Sequence, residues 1–218
     1  MAARSDVLGR RVSHAQASAF LAERSPEIAR LVEVSGRMRL DRPALTHFAA
    51  LVRSIVHQQL AGAAALSIHA RLETALDWDV TPERVSVTAN ETLRAAGLSG
   101  AKAASICDLA MKALDSTVDL NPHRIARASD EEVIRELCEV RGIGVWTAQM
   151  FLLFQLRRLD VWPTGDLGVR RGYGLAFDVA MPAPKELEVL GDQFRPYRSV
   201  AAWYCWRACD VVGARRSK

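Results

Sequence analysis

Asp166 ends the loop Val161-Trp162-Pro163-Thr164-Gly165-Asp166 and is followed by Leu167-Gly168. A carboxylate held by a Pro- and Gly-rich loop can stabilise developing positive charge and can orient or deprotonate a water. It can also cap a helix that starts after it, the commoner use of Asp in such a place, and one side chain can do both. Upstream, Leu137-Cys138-Glu139-Val140-Arg141-Gly142-Ile143-Gly144-Val145-Trp146-Thr147-Ala148 reads as helix, tight Gly-x-Gly hairpin, helix. Gly142 and Gly144 allow backbone angles that other residues resist and let a phosphate approach closely. The second helix begins at the hairpin, so its first N–H groups and positive dipole end suit an anion. Trp146 and Trp206 offer π faces, which attract cations by about 0.5–2 kcal/mol. Trp146 could instead be a core residue packed under the hairpin, and of Trp203 and Tyr204, on the same helix as Trp206, at least one must be core. Asp160 and Asp178 lack any such context and read as ordinary surface carboxylates.

Helices must position these groups, because nearly every segment has helical period. Leu45 to His57 puts Phe48, Leu51, Val52, Ile55 and Val56 on one side. Leu60 to Leu76 is Ala-rich and in step, with Asp77 and Trp78 at its end. Asn90 caps a short helix to Ala96, and Gly97 and Gly100 bracket the turn after it. Ala101 to Leu114 is amphipathic. Ser129 followed by Asp130, Glu131 and Glu132 is a capping box for a helix ending near Val140. Further helices run from Val145 to Arg158 and from Arg198 to Val212. Strand-like alternation is confined to Asp160–Trp162. The expected fold is all-α, two helical lobes with a central cleft, formed by residues 1–218 as one domain. The segment before Pro26 is the least constrained by pattern.

The chain has 218 residues and a sequence pI of about 9.1 at a formal net charge of +4. Lys102, Lys112, Lys185 and Lys218 are the lysines; the other basic residues are Arg, whose planar fork suits phosphate. No apolar run approaches the ~20 residues that span a bilayer, and Met1 to Arg11 lacks a signal peptide's apolar stretch. This predicts a cytoplasmic protein, nucleoid-associated if bacterial, with no membrane partner. Cys107, Cys138, Cys205 and Cys209 are too scattered for a zinc or iron–sulfur framework, so no metal is expected. Cys205 and Cys209 share a helix face as two buried thiols.

Taken together, the hairpin and the Asp loop resemble the helix-hairpin-helix (HhH-GPD) DNA glycosylase superfamily. Ser54-Ile55-Val56-His57-Gln58-Gln59-Leu60 resembles its Ser-Ile-x-x-Gln-Gln segment. Gly97-Leu98-Ser99-Gly100-Ala101-Lys102 resembles its Gly-Leu-Ser-x-x-Lys turn. Arg195-Pro196-Tyr197-Arg198-Ser199 is similar to the Arg-Pro-Trp-Arg-Ser segment of the 3-methyladenine DNA glycosylase II branch. These blocks cover roughly residues 45 to 210, in order. Founding bacterial members of that branch carry an extra N-terminal mixed α/β domain, so this chain resembles the shorter form. Met150 and Leu167 stand where the larger enzymes have aromatic residues.

The resemblance implies a monomeric enzyme that removes alkylated purines, 3-methyladenine and 7-methylguanine, from double-stranded DNA in base excision repair. Asp166 is then the catalytic carboxylate beside the sugar. Trp146, Trp206, Met150 and Leu167 line the pocket for the flipped base. Gln59, with Gln58 or Leu60 as alternatives, fills the gap left in the duplex. Lys102, Gly142 and Gly144 are phosphate contacts, and His57 touches the backbone or is simply a satisfied helix histidine. Relatives that also nick the backbone carry a Lys where Trp146 stands, so this chain is expected to be monofunctional. No cofactor is implied, although superfamily hairpins can hold a monovalent cation on backbone carbonyls. The alternatives are a non-catalytic helix-hairpin-helix DNA-binding module and a glycosylase for deaminated or mismatched bases.

Overall fold

The computed structural model describes residues 12–211; the expectations for Met1–Arg11 and for Val212 onward lie outside these. The chain forms two compact units, one from the segments up to Arg42 and from Arg157 onward, the other from Pro43 to Leu156. The described residues contain helices and turns and no strand, and none of the helices is long and apolar enough to cross a membrane.

The first unit opens with α1 (His14–Ala22), in the stretch before Pro26 where sequence pattern says least, and α2 (Pro26–Ser35), which follows it. Their start signals are local. Ser13 and Gln16 close a capping box on α1, and Ser25 caps α2 with Pro26 at its first position. Leu21, Ile28 and Leu31 are buried.

The second unit holds α3 (His47–His57), α4 (Gly62–Ala75), α5 (Pro82–Val87), α6 (Asn90–Ala95), α7 (Gly100–Leu114), α8 (Pro122–Ile125), α9 (Asp130–Cys138) and α10 (Val145–Met150). Leu51, Val52 and Ile55 of α3 are fully buried, as are Ile106 and Leu109 of α7, which packs against α3. Asp77 and Trp78 end α4 with left-handed backbone, φ 52° and 62°. Ser129 and Glu132 make the capping box of α9. Asn90 is the first residue of α6 and not its cap; Ala89 takes the extended cap position without a side-chain bond.

The helix expected from Val145 to Arg158 changes character at Phe151. Residues Phe151–Gln155 are π-helical, Leu156 N reaches back to Phe151 O, and Arg157 turns left-handed at φ 56°. Phe151, Leu152 and Leu153 are consecutive and all buried. The wider π turn draws three neighbours toward one side, which a 3.6-residue repeat does less well.

The first unit resumes with α11 (Leu167–Phe177), α12 (Pro184–Leu190), a 3-10 turn (Gly191–Phe194) and α13 (Arg198–Val211). The alternation at Asp160–Trp162 yields no strand. Val161 N donates to Ser199 Oγ at 2.9 Å, a side-chain partner in place of a ladder. In this unit α11 packs against α13, and α2 against both.

Candidate active site and nucleic-acid interface

Asp166 is only 9% exposed. It occupies the N-cap of α11, where its Oδ1 accepts from Val169 N at 2.8 Å. The same oxygen accepts the indole N–H of Trp206 at 2.9 Å, from a residue 40 positions away on α13. The capping use of Asp166 is therefore real, and it fixes the carboxylate at a helix start, where the dipole favours negative charge. Leu167, next in the chain, is 63% exposed.

Two glycines let α13 come this close. A Cβ on Gly168 would lie 2.8 Å from Cδ1 of Trp206, and one on Gly172 would lie 1.8 Å from the carbonyl oxygen of Cys205. At Gly172 the two helices meet backbone to backbone. Cys209 Sγ donates to Gly168 O at 3.4 Å. Cys205 is buried and Cys209 partly so, both as free thiols; burial pushes each thiol above its ordinary range.

The start of α13 holds the loop that leads to Asp166. Arg198 donates to Asp160 through Nε (2.8 Å, Oδ1) and Nη2 (3.0 Å, Oδ2), and Arg195 Nη1 reaches Oδ2 at 2.9 Å. Asp160 is thus an anchor, not the ordinary surface carboxylate its context suggests; Asp178 is exposed and closes α11 in a left-handed turn. Ser199 Oγ, buried, donates to Arg158 O at 2.6 Å, and Trp162 Nε1 donates to Leu187 O at 2.7 Å. The Arg-Pro-Tyr-Arg-Ser block therefore works as a clamp on the Asp166 loop. The small residues Gly168 and Gly172, at i and i+4, were the sequence signal for the close helix contact.

In the other unit a cavity of about 510 Å³ lies between the end of α3 and the start of α10. Trp146, Met150 and Gly142 line one side, and His57, Gln58 and Gln59 the other. That volume is in the range of small-molecule sites. Trp146 is 48% exposed, which removes the core reading of this residue. Gln58 Nε2 donates to Gly142 O at 2.9 Å and to Thr147 Oγ1 at 3.4 Å, tying the loop after α3 to the hairpin. Gln59 is exposed and left-handed at φ 56°. Lys102 Nζ donates to Val56 O and Gln58 O, both at 2.7 Å, at the C-terminal end of α3, where a cation is favoured.

Gly142 is left-handed at φ 78° and Gly144 starts α10 without a side-chain cap; a Cβ on Gly144 would meet nothing within 4 Å. His57 is neutral-favouring, its pKa lowered by burial first and then by Arg53, His69 and Lys102; its Nε2 has no hydrogen-bond partner. Among the described residues no group of three or more His, Cys, Asp or Glu could hold a metal ion. The expected site residues thus fall into two sets. Trp146, Met150, Gln58, Gln59 and Gly142 share a cavity, with Gly144 and Lys102 on the elements that build it. Asp166 and Leu167 form the start of α11, where Trp206 of α13 meets the carboxylate.

Residues 52–193 match the profile of the HhH-GPD superfamily of base excision DNA repair proteins. The DNA-3-methyladenine glycosylase 1 of Schizosaccharomyces pombe is 33% identical over 189 residues, covering 84% of this chain and 82% of the relative. A solved 3-methyladenine DNA glycosylase from the same yeast, in complex with abasic DNA, superposes with a TM-score of 0.79 at 30% identity, covering 89% of this chain and 97% of that one. The crystal structure of a DNA-3-methyladenine glycosidase from Bacillus halodurans superposes with a TM-score of 0.82, also at 30% identity, covering 94% of each chain.

Proposed function

This chain belongs to the HhH-GPD superfamily of base excision DNA repair proteins, and we propose that it is a monofunctional DNA glycosylase for alkylated purines in duplex DNA, acting as a monomer. The observation that carries the reading is the seating of Asp166: a nearly buried carboxylate fixed at a helix N-cap and by the N–H of Trp206. Breaking an N-glycosidic bond builds positive charge on the sugar. A carboxylate fixed beforehand stabilises that charge without reorganising, and it orients the water that attacks C1′. The C1′–N bond breaks with its electron pair leaving on the base, which departs neutral when it was cationic; the water oxygen bonds C1′, and the water's proton passes to the Asp166 carboxylate and on to solvent.

Substrate choice follows from charge. 3-Methyladenine and 7-methylguanine are cationic in the nucleotide, so they leave readily, and the exposed indole of Trp146 in the cavity attracts a cationic base. Because Trp146 stands where a Schiff-base lysine would be needed, the product is an abasic site with an intact backbone. Gln59, with its side chain in the open, is the proposed gap-filler, and the hairpin grips the phosphate backbone. A monovalent cation at the hairpin would be held by backbone carbonyls, of which Glu139 O already takes Lys112 Nζ and Gly142 O takes Gln58. No step here requires it.

The test is release of bases from methylated duplex DNA, resolved by chromatography. Asp166→Asn should lower the rate about a hundred- to a thousandfold, the scale for losing one preorganised charge-stabilising group, while binding to DNA with an abasic-site analogue persists. Activity within a few-fold of wild type would sink the assignment. Borohydride should trap no covalent adduct. Release of uracil faster than 3-methyladenine would refute the charge-based pocket.

A further inference from the structure

One face of α7 carries Lys102, Ser105, Asp108 and Lys112, three or four residues apart, so they lie in a row. Each meets one of the two segments that border the cavity. Lys102 holds the end of α3. Ser105 underlies Gly142, where a Cβ would come within 2.6 Å of its Oγ. Asp108 Oδ2 accepts from Arg141 N at 2.7 Å and from Lys112 Nζ at 2.9 Å, and Lys112 Nζ also donates to Glu139 O at 2.5 Å. The backbone on either side of Val140 is thus held by one ion pair that lies outside the cavity.

A carboxylate is an odd neighbour for a hairpin that meets phosphates, since its charge alone repels DNA. Its hydrogen bond to Arg141 N does something that charge does not: it sets the plane of the Val140–Arg141 peptide just before the left-handed Gly142. From this we infer that Asp108, oriented by Lys112, is a positioning residue that presets the hairpin backbone for DNA binding. The inference rests on the glycosylase reading, in which the hairpin contacts DNA. Its signature is a sign. If Asp108 acts only through charge, removing it tightens DNA binding; if it positions the hairpin, removing it weakens binding.

The experiment compares Asp108→Ala and Asp108→Asn with wild type in three readouts: affinity for duplex DNA carrying an abasic-site analogue, single-turnover base release at saturating enzyme, and thermal midpoint. Asp108→Ala should bind on the order of tenfold more weakly, the scale of one hydrogen bond to a charged group, with the saturated rate within twofold and the midpoint near wild type. Asp108→Asn keeps an acceptor for Arg141 N and sheds the repelling charge, so it should bind at least as tightly as wild type. Asp108→Ala binding as tightly as wild type or tighter would overturn the inference. So would its loss of fold, or a drop in the saturated rate equal to the drop in affinity, since either marks a merely structural role. Failure of wild-type protein to bind the abasic duplex would instead count against the glycosylase reading.

Discussion

In the unit that carries Asp166, the carboxylate itself is 9% exposed and takes its N–H donors from Val169 and Trp206. Ser199 of α13, beneath the neighbouring loop, is fully buried, while the Arg198–Asp160 pair beside it is 16% and 30% exposed. In the unit that carries the hairpin, α7 holds its loops through Lys102, Asp108 and Lys112, with the Asp108 and Lys112 side chains 30% and 26% exposed. Each helix fastens a functional loop to the rest of its unit. The difference is in tolerance. A single carboxylate that must meet a transient charge needs one orientation, and buried, desolvated bonds hold one orientation best. A hairpin that grips a phosphate backbone works through several contacts, so a partly exposed ion pair, weaker and salt-screened, suffices.

The largest effect expected from this contrast is at the glycines. Gly172→Ala drives a Cβ into the backbone carbonyl of Cys205, which cannot swing aside. It should destabilise its unit by about 3 kcal/mol or more, at or above the upper end for overpacking, read as loss of cooperative melting. Gly144→Ala meets nothing within 4 Å and should change stability by less than about 0.5 kcal/mol, while weakening DNA binding. Equal melting of the two variants would break the comparison.

Next in size is a crossover in kinetics. Trp206→Phe keeps a ring but removes the N–H that Asp166 Oδ1 accepts. Single-turnover base release should fall about tenfold, again the scale of a hydrogen bond to a charged group, with affinity for an abasic duplex unchanged. The Asp108→Ala variant should show the opposite split. A Trp206→Phe variant that lost affinity and kept its rate would move this tryptophan from the carboxylate to DNA contact.

The smallest effect is in pH. His47, His57 and His69 in the hairpin unit are each held below the ordinary histidine pKa, first by burial, whereas the described part of the other unit has His14 alone in that state. A lowered folded-state pKa means that the unfolded chain binds more protons in the window below about pH 6.5. This contribution is complete above that pH and is lost as pH falls toward the lowered values. Between pH 7 and pH 5, amides of α3 and α4 should therefore lose more protection from hydrogen exchange than those of α11 and α13, after correction for intrinsic rates. Equal losses would show that these histidines do not set the difference.

The amino-acid sequence alone determined much of what depends on neighbours within about four positions, though it placed the cap of α6 one residue late, at Asn90. The apolar spacing in Leu45–His57 and Ala101–Leu114 specified α3 and α7, Ser129 with Glu132 specified the start of α9, and Gly142 and Gly144 specified the hairpin. The order of its motif blocks singled out Asp166, and the same residue proved to be a helix cap, as its loop implies. Local caps mark where α1 and α2 start, yet apolar spacing does not fix a helix at α1, and such spacing does not foresee the π turn after Met150. Tertiary structure decided which partner each polar group takes. Trp206 reaches Asp166 across 40 residues, Gln58 reaches Gly142 across 84, and Lys102 turns to the carbonyls of α3 across 44 and 46. A side chain's type states only what it can donate or accept. Whether an ammonium or an amide is used inside the protein depends on which buried carbonyls the packed helices bring within reach, because most buried polar groups are paired wherever that leaves them.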